Sequence, residues 1–139
     1  TGMTLREGTA GTIRNAIVYG FKANGIQVST SATLAQAASG ALSVMNSIIF
    51  NNGTNLHSST VAGIQAHAGG TLYQVDPQLL APFNHTAPVF RPAGGSPALT
   101  LGFAVPPNDG FFEIARFIGA LSDTIEEDWT LGWTNYADR

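Results

Sequence analysis

The chain has 139 residues, 44% of them hydrophobic and only 11% charged, against roughly 25% charged in ordinary soluble domains. That length suits one domain with a real core. The six Lys and Arg stand singly at Arg6, Arg14, Lys22, Arg91, Arg116 and Arg139, and the formal net charge is −3, which excludes an electrostatic footprint for nucleic acid.

No apolar run approaches the roughly 18 residues of a membrane-spanning helix, and without cysteine the chain has no disulfides and no thiolate metal site. Polarity rests on Thr, Ser, Asn, Gln and Gly, a composition that suits strands with short turns.

Met3 to Arg6 reads as a short strand that belongs to the middle of something. With no start methionine and no cap, a fragment or processed product is expected. Ile13 to Phe21 (IRNAIVYGF) alternates with a period of two, as a half-buried strand does. Asn24-Gly25 is predicted to turn the chain into a second short strand, Ile26 to Ser29. Ser31 to Ser39 (SATLAQAAS) is predicted as an inserted helix, with Ser31 or Thr33 as N-cap and Ser39-Gly40 as its stop.

Leu42 to Asn52 (LSVMNSIIFNN) then says nearly what Ile13 to Phe21 said. Set Asn15 against Asn46 and the ladder residues fall into register: Ile13 over Val44, Ile17 over Ile48, Val18 over Ile49, Tyr19 over Phe50. Gly63-Ile64-Gln65 answers Gly25-Ile26-Gln27 in the same way. The 31 residues from Asn15 to Asn46 lie inside the window of roughly 20 to 50 that marks repeat arrays. A solenoid is therefore expected ahead of a β-sandwich with a chance echo, and Asn15 and Asn46 are expected to stack amide on amide across it.

After Gly70 prolines punctuate the chain, so that no central strand can run far. This half is expected to be a cap, with Phe83, Phe90, Phe103, Phe111, Phe112 and Phe117 as its apolar plugs.

Asp76-Pro77, then Phe90 to Leu99 (FRPAGGSPAL), then Ile118-Gly119-Ala120-Leu121 form an ordered set. It resembles the closing segment of exported bacterial right-handed parallel β-helix proteins. The stretch from Gly2 to Phe21 (GMTLREGTAGTIRNAIVYGF) and the ending Asp128 to Tyr136 (DWTLGWTNY) resemble the same proteins. Where relatives often carry Asp after the GSPA alanine and its hydrophobe, this chain has Thr100. The resemblance implies an all-β fold, a right-handed parallel β-helix or short solenoid with an irregular Pro/Gly-rich C-terminal cap. Residues 1–75 would form the coils and residues 76–139 the cap, in one structural domain. Upstream coils or another copy of the chain would then be partners, and the location would be extracellular or at the cell surface.

The chemistry-bearing residues are sparse. His57, His67 and His85 match no metal-ligand spacing and read as loop histidines. Asp123, Glu126, Glu127 and Asp128 could hold Ca²⁺, but they lack the alternating pattern of a calcium loop and read as a solvated loop. No cofactor is expected.

Asp109, Glu113 and Arg116 read as structural charges rather than as a polysaccharide-cleaving set, and Asp109-Gly110 as a turn. Ser96 lacks the nucleophile-elbow pattern. Asn52-Gly53-Thr54 and Asn84-His85-Thr86 are glycosylation sequons, meaningful only in a eukaryotic secretory host.

Trp129, Trp133 and Tyr136 would share one face of a helix, either as a sugar-stacking stripe or, preferably, as core that docks the C-terminal tail. The sequence thus points to a non-catalytic structural or adhesive module of a bacterial surface protein or filament. The alternatives are the C-terminal part of a polysaccharide lyase or hydrolase, or a carbohydrate-binding module.

Overall fold

The computed structural model describes residues 1–57 and 72–136. The first half reads β1 (Met3–Leu5), β2 (Gly11–Arg14), β3 (Ile17–Tyr19), β4 (Asn24–Val28), α1 (Ser31–Ala38), β5 (Leu42–Met45), β6 (Ser47–Phe50) and β7 (Thr54–Leu56). Then come β8 (Leu72–Tyr73), β9 (Leu79–Ala81), β10 (Val89–Pro92), the short helix α2 (Pro97–Thr100) and a single 3-10 turn at Ile125–Glu127. The strands fall into four small sheets, ordered β1-β4-β7, β2-β5, β3-β6-β8 and β9-β10. The first three are parallel and the last is antiparallel.

This arrangement corrects the expected all-β right-handed parallel β-helix. Parallel and antiparallel sheets are mixed, α1 and α2 interrupt the strands, and no closed solenoid forms among the described residues. The physical reason lies in the backbone. Asn15 and Asn46 adopt left-handed φ of 56° and 48°, a conformation asparagine tolerates better than most residues. Each ends one strand and starts another, so the phrase Ile13 to Phe21 is two short strands with a corner between them.

Within the sheets, Ile13 stands opposite Val44, Ile17 opposite Ile48, Val18 opposite Ile49 and Tyr19 opposite Phe50. The echo at Gly63-Ile64-Gln65 lies outside the described residues.

Alternation along β3 and β6 sends neighbouring residues to opposite faces, and both faces are buried. Val18 and Ile49 enter one core with Leu5, Ile26, Val28, Leu42, Val44 and Leu56. Ile48 enters a second with Ala98 and Ile118, against which Ile17, Phe50, Tyr73, Leu101 and Phe103 pack. Ile26, Ile48 and Ile49 are fully buried, and each contributes about 1.5–3 kcal/mol of hydrophobic stabilisation.

Asn24 and Gly25 open β4 instead of turning the chain with positive φ. Gly25 is needed there for close approach, because a Cβ would lie 2.6 Å from Asn55 O and 2.8 Å from Asn52 Nδ2. Helix α1 is capped by Thr30, which makes no side-chain cap bond, rather than by Ser31 or Thr33. Thr33 is fully buried and accepts Gly8 N–H at 2.9 Å.

Candidate functional site

The second half of the chain is threaded along the outer face of β3 and β6 by hydrogen bonds from the two corner asparagines. Asn15 Nδ2 donates to Ala104 O at 2.9 Å, while its Oδ1 accepts Ala104 N–H at 2.7 Å. Asn46 Nδ2 donates to Gly102 O at 2.8 Å, and the Tyr73 hydroxyl donates to the same carbonyl at 3.0 Å. Asn15 and Asn46 stand in register, but their side-chain amides bond to one segment of the second half. The corner conformation turns each amide out of its strand toward that segment.

The three motif elements of the second half meet beside these clasps. Asp76 Oδ1 accepts Gln78 N–H at 2.8 Å, and the carbonyl of buried Pro77 accepts the Ser96 hydroxyl at 2.6 Å. Ser96 Oγ also caps α2 by accepting Ala98 N–H at 3.0 Å, so this buried hydroxyl serves structure. Ile118 N–H then donates to Ala98 O at 2.8 Å and Gly119 N–H to Asn15 O at 2.7 Å.

Between β3, the β9-β10 pair and residues 119–121 lies a cleft of about 630 Å³, within the size range of small-ligand sites. Ile17, Tyr19, Leu79, Phe83, Phe90 and Leu121 form its apolar walls, and no charged residue among the described ones lines it. Tyr19 makes an edge-to-face contact with Phe83 at 4.9 Å and a tilted one with Phe50 at 5.6 Å. Burial, and secondly the Asp76 carboxylate, raise the Tyr19 phenol above its ordinary value of 10.0.

A phenol that holds its proton more tightly when folded stabilises the fold fully below the unfolded value, and that contribution disappears as pH climbs through the folded one. Melting followed by circular dichroism should therefore show stability falling above pH 10.0, and Tyr19→Phe should remove part of that fall. Identical alkaline slopes in the two proteins would refute the assignment.

The cap aromatics are mostly unlike plugs. Phe83, Phe90, Phe111 and Phe112 are exposed, Phe111 to 83%, whereas Phe103 packs on the second core. Trp129, Trp133 and Tyr136 lie on turns and an irregular tail rather than on one helix face. Trp129 is 58% exposed and Trp133 68%, so the preferred expectation of core residues is corrected. Their rings stack at 5.8 Å with planes 21° apart.

Each indole N–H is satisfied inside the chain, Trp129 Nε1 donating to Ala120 O at 2.9 Å and Trp133 Nε1 to Trp129 O at 2.6 Å. The rings are thereby held in place while both residues stay mostly exposed. Tyr136 makes an edge-to-face contact with Phe90, which also lines the cleft.

The ionisable candidates are separated. Asp128 pairs with Arg91 at 3.4 Å and Arg91 Nη1 donates to Asp123 O at 3.0 Å, tying the final turn to β10. Glu127 accepts the Ser122 hydroxyl at 2.7 Å. Among the described residues no group of three or more His, Cys, Asp or Glu could hold a metal ion. His57 and His85 lie on different segments, and His67 is outside the described residues.

Asp109, Glu113 and Arg116 are exposed, and Asp109 Oδ1 accepts Phe111 N–H at 3.0 Å in the expected turn. In the first sequon the Asn52 amide is occupied by the fold, whereas Asn84 is exposed.

The sequence reading missed the cleft. Its signal was the crowding of Phe83 and Phe90 among Pro82, Pro88 and Pro92, since proline-broken segments cannot bury every ring they carry. No family model matches the chain, and no curated protein or solved structure matches it. No helix among the described residues is long and apolar enough to cross a membrane.

Proposed function

We propose that the chain is a non-catalytic structural or adhesive module that acts outside the cell, and that it adheres through its C-terminal aromatic surface to neutral polysaccharide. The observation that carries the reading is the stacked Trp129–Trp133 pair, anchored through both indole N–H groups and mostly exposed. Aromatic faces fixed in this way offer apolar area at little entropic cost, and the C–H-rich face of a pyranose fits them. The low charge of the chain favours an uncharged partner.

Retention on insoluble neutral polysaccharide tests the reading. Trp133→Ala should weaken retention at least tenfold while changing unfolding free energy by under about 1 kcal/mol. Equal loss of binding and stability would mean that the pair is packing. Release of soluble sugar by the unaltered chain would favour the alternative, an enzyme acting on polysaccharide.

A further inference from the structure

The cleft along β3 is bordered by an open strand edge. In β3, Gly20 N–H donates to Phe50 O and Ala16 O accepts Ile48 N–H, so parallel alternation turns the backbone of Ile17 and Tyr19 away from β6 and toward the cleft. Among the described residues β3 has a neighbour on one side only. An open edge is a template for pairing with another chain, and exposed apolar walls are costly to leave in water. The walls are not closed by their own side chains, because Phe83 and Phe90 remain exposed.

The same molecule presents a complementary knob. Asp109 Oδ1 accepts Phe111 N–H at 3.0 Å and Gly110 turns with φ of 78°, which fixes the chain where Phe111 emerges. Phe111 and Phe112 brace one another edge to face at 5.0 Å, with planes 86° apart. Phe111 is the most exposed of the large hydrophobic residues among those described, at 83%. A turn that exposes two phenyl rings and a cleft whose described lining is apolar and uncharged share one chemistry, and burying one in the other desolvates no ion of the cleft. Knob and hole are different surfaces, so their contact between copies is heterologous and leaves one of each free at the ends.

We propose that the cleft along β3 receives the Phe111–Phe112 turn of a second copy of this chain. The contact rests on the structural side of the function proposed above and does not use Trp129 or Trp133. Its failure and the failure of polysaccharide binding are therefore read separately.

Light scattering on chromatographed protein, over a wide concentration range, tests it. The mass should rise from 14.5 kDa to at least twice that value as concentration increases. Phe111→Ser combined with Phe112→Ser removes the knob, and Ala120→Arg puts a charged side chain into the cleft at an exposed position. Each variant should stay at the single-chain mass with an unchanged melting curve. Mixed together, they should form a one-to-one pair and grow no further, because the first keeps its cleft and the second its knob. Should Ala120→Arg fail to fold, Ala120→Glu repeats the test with the opposite charge. A single-chain mass for the unaltered protein at every concentration, association that persists in either folded variant, or a mixture that does not pair would overturn the proposal.

Discussion

Gly53→Ala should lower the unfolding free energy by about 3 kcal/mol and the melting temperature by roughly 10 °C. Gly53 sits where two backbone segments cross. Its N–H donates to Phe21 O at 2.9 Å, and the next residue, Thr54, donates to Ala23 O at 2.7 Å. A Cβ at Gly53 would come within 2.5 Å of Ala23 O and nearer still to Lys22 O. Both obstacles are main-chain carbonyls, so no rotamer change can relieve them, and the two hydrogen bonds that join β7 to the turn before β4 would have to stretch. Gly94 supplies the control, since a Cβ there meets nothing within 4 Å. Gly94→Ala should change stability by no more than about 0.5 kcal/mol. Equal, small effects at both positions in thermal melts would show that the crossing is looser than described.

Asn52→Ala should cost a similar amount, about 3 kcal/mol. Its amide nitrogen donates to Val18 O and Phe50 O at 3.0 Å each and to Asn55 Oδ1 at 3.0 Å. Its amide oxygen accepts Phe21 N–H at 2.9 Å, and its own backbone N–H donates to Asn55 Oδ1 at 3.1 Å. One side chain thus serves the ends of β3 and β6 and the start of β7, and alanine would strand several half-buried polar groups at once.

Asn52→Asp separates donor from acceptor. An aspartate can still accept Phe21 N–H, but as a carboxylate it faces the three oxygens that the amide now serves. It should be at least as damaging at neutral pH and should recover in part at acid pH, where the carboxyl regains a donor. Denaturant titrations of both variants check this, and a neutral-pH Asn52→Asp as stable as the unaltered chain would refute the donor role.

The pairing of the two similar phrases is legible in the sequence because like side chains recur in like order, and Ile17 opposite Ile48 and Tyr19 opposite Phe50 follow from that order. What periodicity cannot show is a corner inside a strand. Asn15 reads as one more residue in an alternating run, yet its positive φ ends β2, and its amide leaves for Ala104. The expected solenoid does not close among the described residues, and the mixing of sheets comes from the proline-broken second half, where β9 and β10 pair antiparallel.

The site was legible only in its residue names. The spacing of Trp129, Trp133 and Tyr136 predicts one helix face, but no helix forms there. Internal hydrogen bonds from both indoles hold the rings outward instead, a choice that depends on Ala120, nine residues before Trp129. The cleft depends on β9 and β10 folding back over β3, a long-range arrangement with no local signature.

The Asn15 to Ala104 clasp spans 89 residues, and during synthesis this separation becomes a waiting time. At about 5–20 residues per second, the ribosome delivers Ala104 roughly 4–18 seconds after Asn15. For that interval the corner between β2 and β3 stands without the segment that clasps Asn15, and Ile17 and Ile48 lack the packing of Phe103. A protein with this order of assembly should depend on chaperone cover early in its synthesis more than its small size suggests, and should refold best at low concentration.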